Sequence, residues 1–179
     1  LSSIDFLKYK IPLFEKIVKD YNFEQGDRVL MTFGEAECRR YALRELKEPS
    51  RSDLTDKDLE GLLAPYIYAA HTAISLLVER GYTPIVWGGH AASWVDPKDQ
   101  VNMPTFGTPE LRNRLSRIWH ESMHKYSARN NFHFFSMIPL TLKRDYTCDT
   151  NYLADEVHIK FEAVAGYFLS FLELNELLS

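Results

Sequence analysis

The stretch DRVLMTFGEAECRR, Asp27 to Arg40, is the one whose reading decides the fold. Arg28 to Phe33 is a short apolar run that stops at Gly34, the pattern of a buried strand of a parallel sheet that delivers polar groups at its tip. Glu35, Glu37, Cys38, Arg39 and Arg40 follow directly. Ligands of open α/β sheets bind in the crevice beyond the carboxyl ends of the strands, so two carboxylates and two guanidiniums at such a tip mark a candidate site. The same residues also read as a charged loop with a satisfied ion pair.

Outward from this strand, apolar residues recur at helical spacing from Ile4 to about Tyr21, with Pro12 marking a break or a second helix start. Residues 45 to 58 are charged and carry Pro49, Ser50 and Ser52, so they read as an exposed loop. A long helical pattern covers Asp56 to Arg80 and stops at Gly81. The next strand, Thr83 to Trp87, runs into Gly88, Gly89 and His90, again a tip with a polar group. After a loop over 91 to 107, Thr108 is placed to cap a helix with Pro109 in its first turn. A third strand is expected over Phe132 to Ile138 and a last helix from about Glu156 to Leu174. Helices alternating with strands imply parallel strands joined by right-handed crossovers, hence a three-layer α/β domain over 1–179. Three strands are few for that class, which raises the expectation of further strands upstream of Leu1, with this chain as the C-terminal part of something larger.

The 179 residues are 45% hydrophobic and 13% aromatic, enough for one domain with a real core. A formal charge of −4 provides no basic footprint for nucleic acid or anionic membrane. A glycan or other small polar substrate fits better. No apolar run of transmembrane length and no export signal stand out. Cys38 and Cys148 are too few for a disulfide framework, which favours the cytoplasm over an oxidising compartment without deciding it.

Two constellations suggest chemistry. His120, Glu121, Ser122, Met123 and His124 match H-E-x-x-H on a predicted helix, yet a zinc site needs a third protein ligand and none is evident, so no metal or other cofactor is expected. Asp155 and His158 stand three apart in the turn before the last helix, where the carboxylate can orient the imidazole as a general base, or else cap the helix.

The D-x-x-H of Asp155 and His158 before a final helix resembles the last block of the SGNH (GDSL-like) hydrolases. FGEAECR, Phe33 to Arg39, resembles the FGEIDCR signature of an SGNH-like group linked to polysaccharide proteins, and Gly107 to Met123 looks like that group's G-x-x-x-x-R-N-x-L helix. The resemblance covers about Ile4 to the end. It implies a three-layer α/β/α domain with a flavodoxin-like parallel sheet, and an enzyme that cleaves or transfers an O-acyl group on a glycan. His158 is then the base and Asp155 its orienter, with Gly34, Glu35, Glu37, Arg39 and His90 binding substrate. The chain departs from the pattern in three places. The G-D-S block that supplies the nucleophilic serine is not present, Ala36 stands where the oxyanion-binding Asn belongs, and Glu37 replaces an Asp. The implied nucleophile therefore comes from an upstream segment or domain of the same protein. A glycosyltransferase using the same carboxylates, histidine and arginines is the second reading. The third is a non-catalytic glycan- or partner-binding module with Trp94, Phe106 and Tyr146 as stacking surfaces.

Overall fold

A computed structural model describes residues 11–20, 22–44, 46, 53–92, 104–144, 147–155 and 158–178, together with Ile4 and Lys8. The elements run α1 (Ile11–Asp20), β1 (Arg28–Phe33), a π-helical turn (Glu37–Tyr41), α2 (Asp56–Glu79), β2 (Thr83–Gly88), α3 (Pro109–Ser127), β3 (His133–Phe135), the short α4 (Ile138–Thr141), a 3-10 turn (Thr150–Tyr152) and α5 (Phe161–Leu174).

The fold is α/β, with a parallel sheet in the order β1-β2-β3. Its register explains the two cores. Met31, Val86 and Phe134 lie in one row across the three strands, and all three are buried with Leu63, Leu77, Leu115 and Trp119 of α2 and α3. Side chains alternate along a strand, so Ile85, Trp87 and Phe135 point to the other face. There Ile85 and Phe135 pack with Val164 and Phe168 of α5, and Trp87 leans on the same cluster. Successive right-handed crossovers in one direction put α2 and α3 on one face, which leaves the second face to the helix after the last strand. Helix α5 covers β2 and β3 only. On β1, Leu30 remains 53% exposed and Thr32 is exposed too.

Local signals set most boundaries. Thr55 and Asp58 form a reciprocal capping box, the Asp58 N–H donating to Thr55 Oγ1 at 3.2 Å and the Thr55 N–H to Asp58 Oδ2 at 2.8 Å. Thr108 caps α3 by a single bond, its Oγ1 accepting the Leu111 N–H at 3.3 Å. By length and composition α2 is apolar enough to cross a membrane, contrary to the expectation that no segment would be. One side of it, with Leu59, Leu63, Ala70, Ala73, Ile74 and Leu77, is built into the core.

Two boundaries differ from expectation. β3 ends at Phe135 and does not reach Ile138, because Met137 already has helical dihedrals and Pro139 has no N–H for a ladder. α5 begins at Phe161, later than the expected Glu156, because Ile159 is drawn into an antiparallel bridge with Leu153 and Lys160 stays extended. Glu156 itself lies outside the described residues, as do Trp94 and Tyr146.

Gly34, at the tip of β1, has φ +104, and a Cβ there would stand 2.5 Å from Trp119 Nε1. Both the backbone angle and the indole exclude a side chain. Gly34→Ala is expected to lower stability by about 3 kcal/mol, measured by urea unfolding.

Candidate active site

The three parallel strands end on one side of the sheet, and there the tips of β1 and β2 frame a cleft of about 340 Å³. From β1 come Thr32, Phe33, Gly34 and Glu35 and, just beyond, Glu37 and Arg39. β2 adds Trp87, Gly88, Gly89 and His90, and the opposite wall is His158 with Ile159. The tips approach so closely that a Cβ on Gly89 would lie 3.0 Å from the Glu35 backbone.

His158 is brought here from more than a hundred residues downstream of Gly34 by a small apolar cluster. Ala91, next to His90, is buried with Cys148 and Leu153, and Ile159 packs against them. The Leu153–Ile159 bridge closes the loop that carries Asp155 and His158, reinforced by the Ala154 N–H donating to His158 O at 2.7 Å and the Lys160 N–H to Tyr152 O at 2.8 Å. Within the loop one carboxylate holds the histidine twice. Asp155 Oδ1 accepts the His158 N–H at 2.8 Å, and Oδ2 lies 2.7 Å from His158 Nδ1. Nε2, on the far side of the ring, is the nitrogen left to meet a substrate. Asp155 thus caps its own turn, while α5 starts beyond it.

The charged residues after β1 hold one another. The Arg39 guanidinium grips the Glu35 carboxylate through Nε and through Nη2, the latter at 3.3 Å, and Nη1 donates to Pro104 O at 2.9 Å. The Phe106 N–H returns to Arg39 O at 2.9 Å, so Arg39 staples residues 104–106 to the strand tip. Glu37 is 1% exposed and its Oε2 accepts the Gly34 N–H at 2.9 Å, which closes the turn after β1. These bonds make Arg39 and Glu37 framework of the cleft. Glu35, His90 and His158 present the polar groups. Burial pushes the His90 imidazole below its ordinary range, with Glu35 pulling the other way and His158 and Arg39 adding to the depression.

Neither cysteine is suited to nucleophilic work. Cys38 is buried, which drives its thiol well above the ordinary value, and burial pushes Cys148 up to about 11. A larger hollow of about 790 Å³ lies at the start of α2 and α3, but its ionic groups satisfy one another, Asp56 receiving Arg114 at 2.8 Å and Arg117 at 2.7 Å.

His120 and His124 do not face a shared open position. His120 is buried with Nδ1 2.6 Å from Ser136 Oγ, while His124 is exposed and its ring meets Phe134 edge-on. Among the described residues no group of three His, Cys, Asp or Glu is arranged to hold a metal ion. Sequence reasoning missed Trp87 and Thr32 as cleft residues. The aromatic side chain directly before the Gly88–Gly89 tip was the available signal. No family model matches this chain, and no curated protein matches it.

Burial pushes the His120 imidazole from 6.5 down to about 3. Between those values the unfolded chain binds a proton that the folded chain refuses, so stability is complete above about pH 6.5 and is lost as pH falls toward 3. The penalty is at most about 5 kcal/mol at the acid end. Urea midpoints are expected to fall from pH 7 to pH 4, and His120→Gln should flatten that fall.

Proposed function

We propose that this chain is an SGNH-like, carbohydrate-active enzyme domain that cleaves or transfers an O-acyl group on a glycan. The observation that carries the reading is His158, its backbone N–H and its imidazole Nδ1 both held by the Asp155 carboxylate, on the wall of a cleft at the strand tips. In this reading Asp155 keeps the ring proton on Nδ1 and Nε2 takes the proton of an attacking hydroxyl. That oxygen bonds to the acyl carbon, the bond from the acyl carbon to the sugar oxygen breaks, and Nε2 returns its proton to the sugar oxygen. With water as the final acceptor the products are a free sugar hydroxyl and a carboxylic acid; with an alcohol, the acyl group is transferred. His90, kept neutral by burial, and Glu35 would bind sugar hydroxyls from the other side of the cleft. The two apolar clusters on opposite faces of the sheet support the three-layer, flavodoxin-like arrangement that belongs to this reading.

A non-catalytic glycan-binding module is the second reading, and a specific observation favours it. No serine is among the described residues lining the cleft, where Thr32 of β1 carries the hydroxyl, so a serine nucleophile would have to be brought there by another segment. The glycosyltransferase reading has less support, since of its two cations for a nucleotide phosphate Arg39 is already directed at Glu35 and Pro104, and Arg40 is not among the described residues lining the cleft.

Acetate release from acetylated xylan tests the proposal. His158→Ala is expected to lower the rate at least about a thousandfold and Asp155→Asn about a hundredfold or more. Both residues are exposed, so unfolding midpoints should stay within about 0.5 kcal/mol of the parent. Full turnover by His158→Ala would refute the assignment, and glycan binding without any turnover by the parent would favour the module.

A further inference from the structure

We propose that Trp87 and Phe161 form an aromatic subsite of the cleft that takes one sugar ring of the substrate, a refinement that rests on the carbohydrate reading above. Trp87 lines the cleft at the end of β2, in register with the exposed Thr32 of β1. Its ring is fixed from behind by Phe168, with centroids 4.7 Å apart at 59°, and by Phe135, at 5.1 Å and 60°. Phe161 lies closer to parallel with it, at 6.4 Å and 26°. Phe161 opens α5 three residues after His158 and is 60% exposed.

A large ring left in water beside a polar cleft is unfavourable surface that a ligand would cover. The chemistry around it selects the ligand. The Trp87 ring, with Phe161 beside it, offers apolar surface, and the groups that line the cleft together with Trp87, among them Thr32, Glu35, His90 and His158, are hydrogen-bonding. A pyranose ring has the matching character, an apolar C–H face and a rim of hydroxyls. An acyl chain would use the aromatic surface and leave the polar border unmet. The subsite therefore holds the sugar, and it places the scissile oxygen on the sugar rim beside His158.

The test compares acetylated xylo-oligosaccharides with p-nitrophenyl acetate, whose leaving group is no sugar. Phe161 is exposed, so Phe161→Ala spares the core. It should cut kcat/KM on the oligosaccharide, through KM, at least about tenfold more than on p-nitrophenyl acetate, and Phe161→Tyr should restore it. An equal loss on both esters, or a greater loss on p-nitrophenyl butyrate than on the oligosaccharide, would overturn the proposal. If neither ester is turned over, the hydrolase reading fails by itself and the subsite is judged by binding. Xylohexaose, chitohexaose and mannohexaose are titrated against tryptophan emission, and at least one should quench it in the parent with an affinity that Phe161→Ala weakens at least about tenfold. Absence of quenching by all three would overturn the subsite.

Discussion

The contact on which this structure depends is that of the Trp119 indole, fully buried in α3, against the bare Cα of Gly34 at the end of β1. It brings the helix onto the sheet at the strand tip, where a side chain would hold the two apart. Because the helix is seated there, the turn after Gly34 can tighten, with the Cys38 N–H donating to Gly34 O at 3.0 Å and Glu37 accepting the Gly34 N–H. The same seating buries His120 beneath Gly88, where a Cβ would meet the imidazole at 2.8 Å. One helix thus sets the height of both strand tips that frame the cleft.

The opposite wall has a different origin. His158 belongs to no helix or strand, and its position relies on an apolar anchor of four side chains, Ala91, Cys148, Leu153 and Ile159, together with two short backbone bridges. Thr141 joins the anchor to the rest, its Oγ1 accepting the Ala91 N–H at 3.1 Å while its own hydroxyl donates to Met137 O at 2.8 Å. A histidine carried on such a loop is positioned by packing at its base and oriented by the carboxylate beside it, two separate controls on one imidazole.

Charge in the cleft is arranged to hold the framework first. The Arg39–Glu35 pair is partly buried, with side chains 17% and 34% exposed. A pair in such a setting specifies geometry more than it adds stability, since desolvation offsets much of the attraction. What it specifies is the distance between the strand tip and the chain at Pro104. The groups that remain turned to the cleft include two imidazoles, one carboxylate edge and an aromatic side chain.

Much of this was legible in the sequence by itself. The order of strands and helices, the stops of β1 at Gly34 and β2 at Gly88, and the start of α3 at Thr108 and Pro109 follow from periodicity, caps and glycines, which act within a few residues. The Asp155–His158 contact was legible for the same reason, being closed within one turn. What only the tertiary structure decided are the contacts between distant positions. Arg39 meets Pro104 across 65 residues and so staples that segment to the strand tip while still lining the cleft. Glu37 lines the cleft, and its burial under the β1 tip became visible only in three dimensions. The end of β3, the late start of α5, the pairing of His120 with Ser136 and the place of Trp87 in the cleft belong to the same category. Local propensities are written in neighbouring residues, whereas which face a side chain buries, and against what, depends on elements the chain delivers from elsewhere.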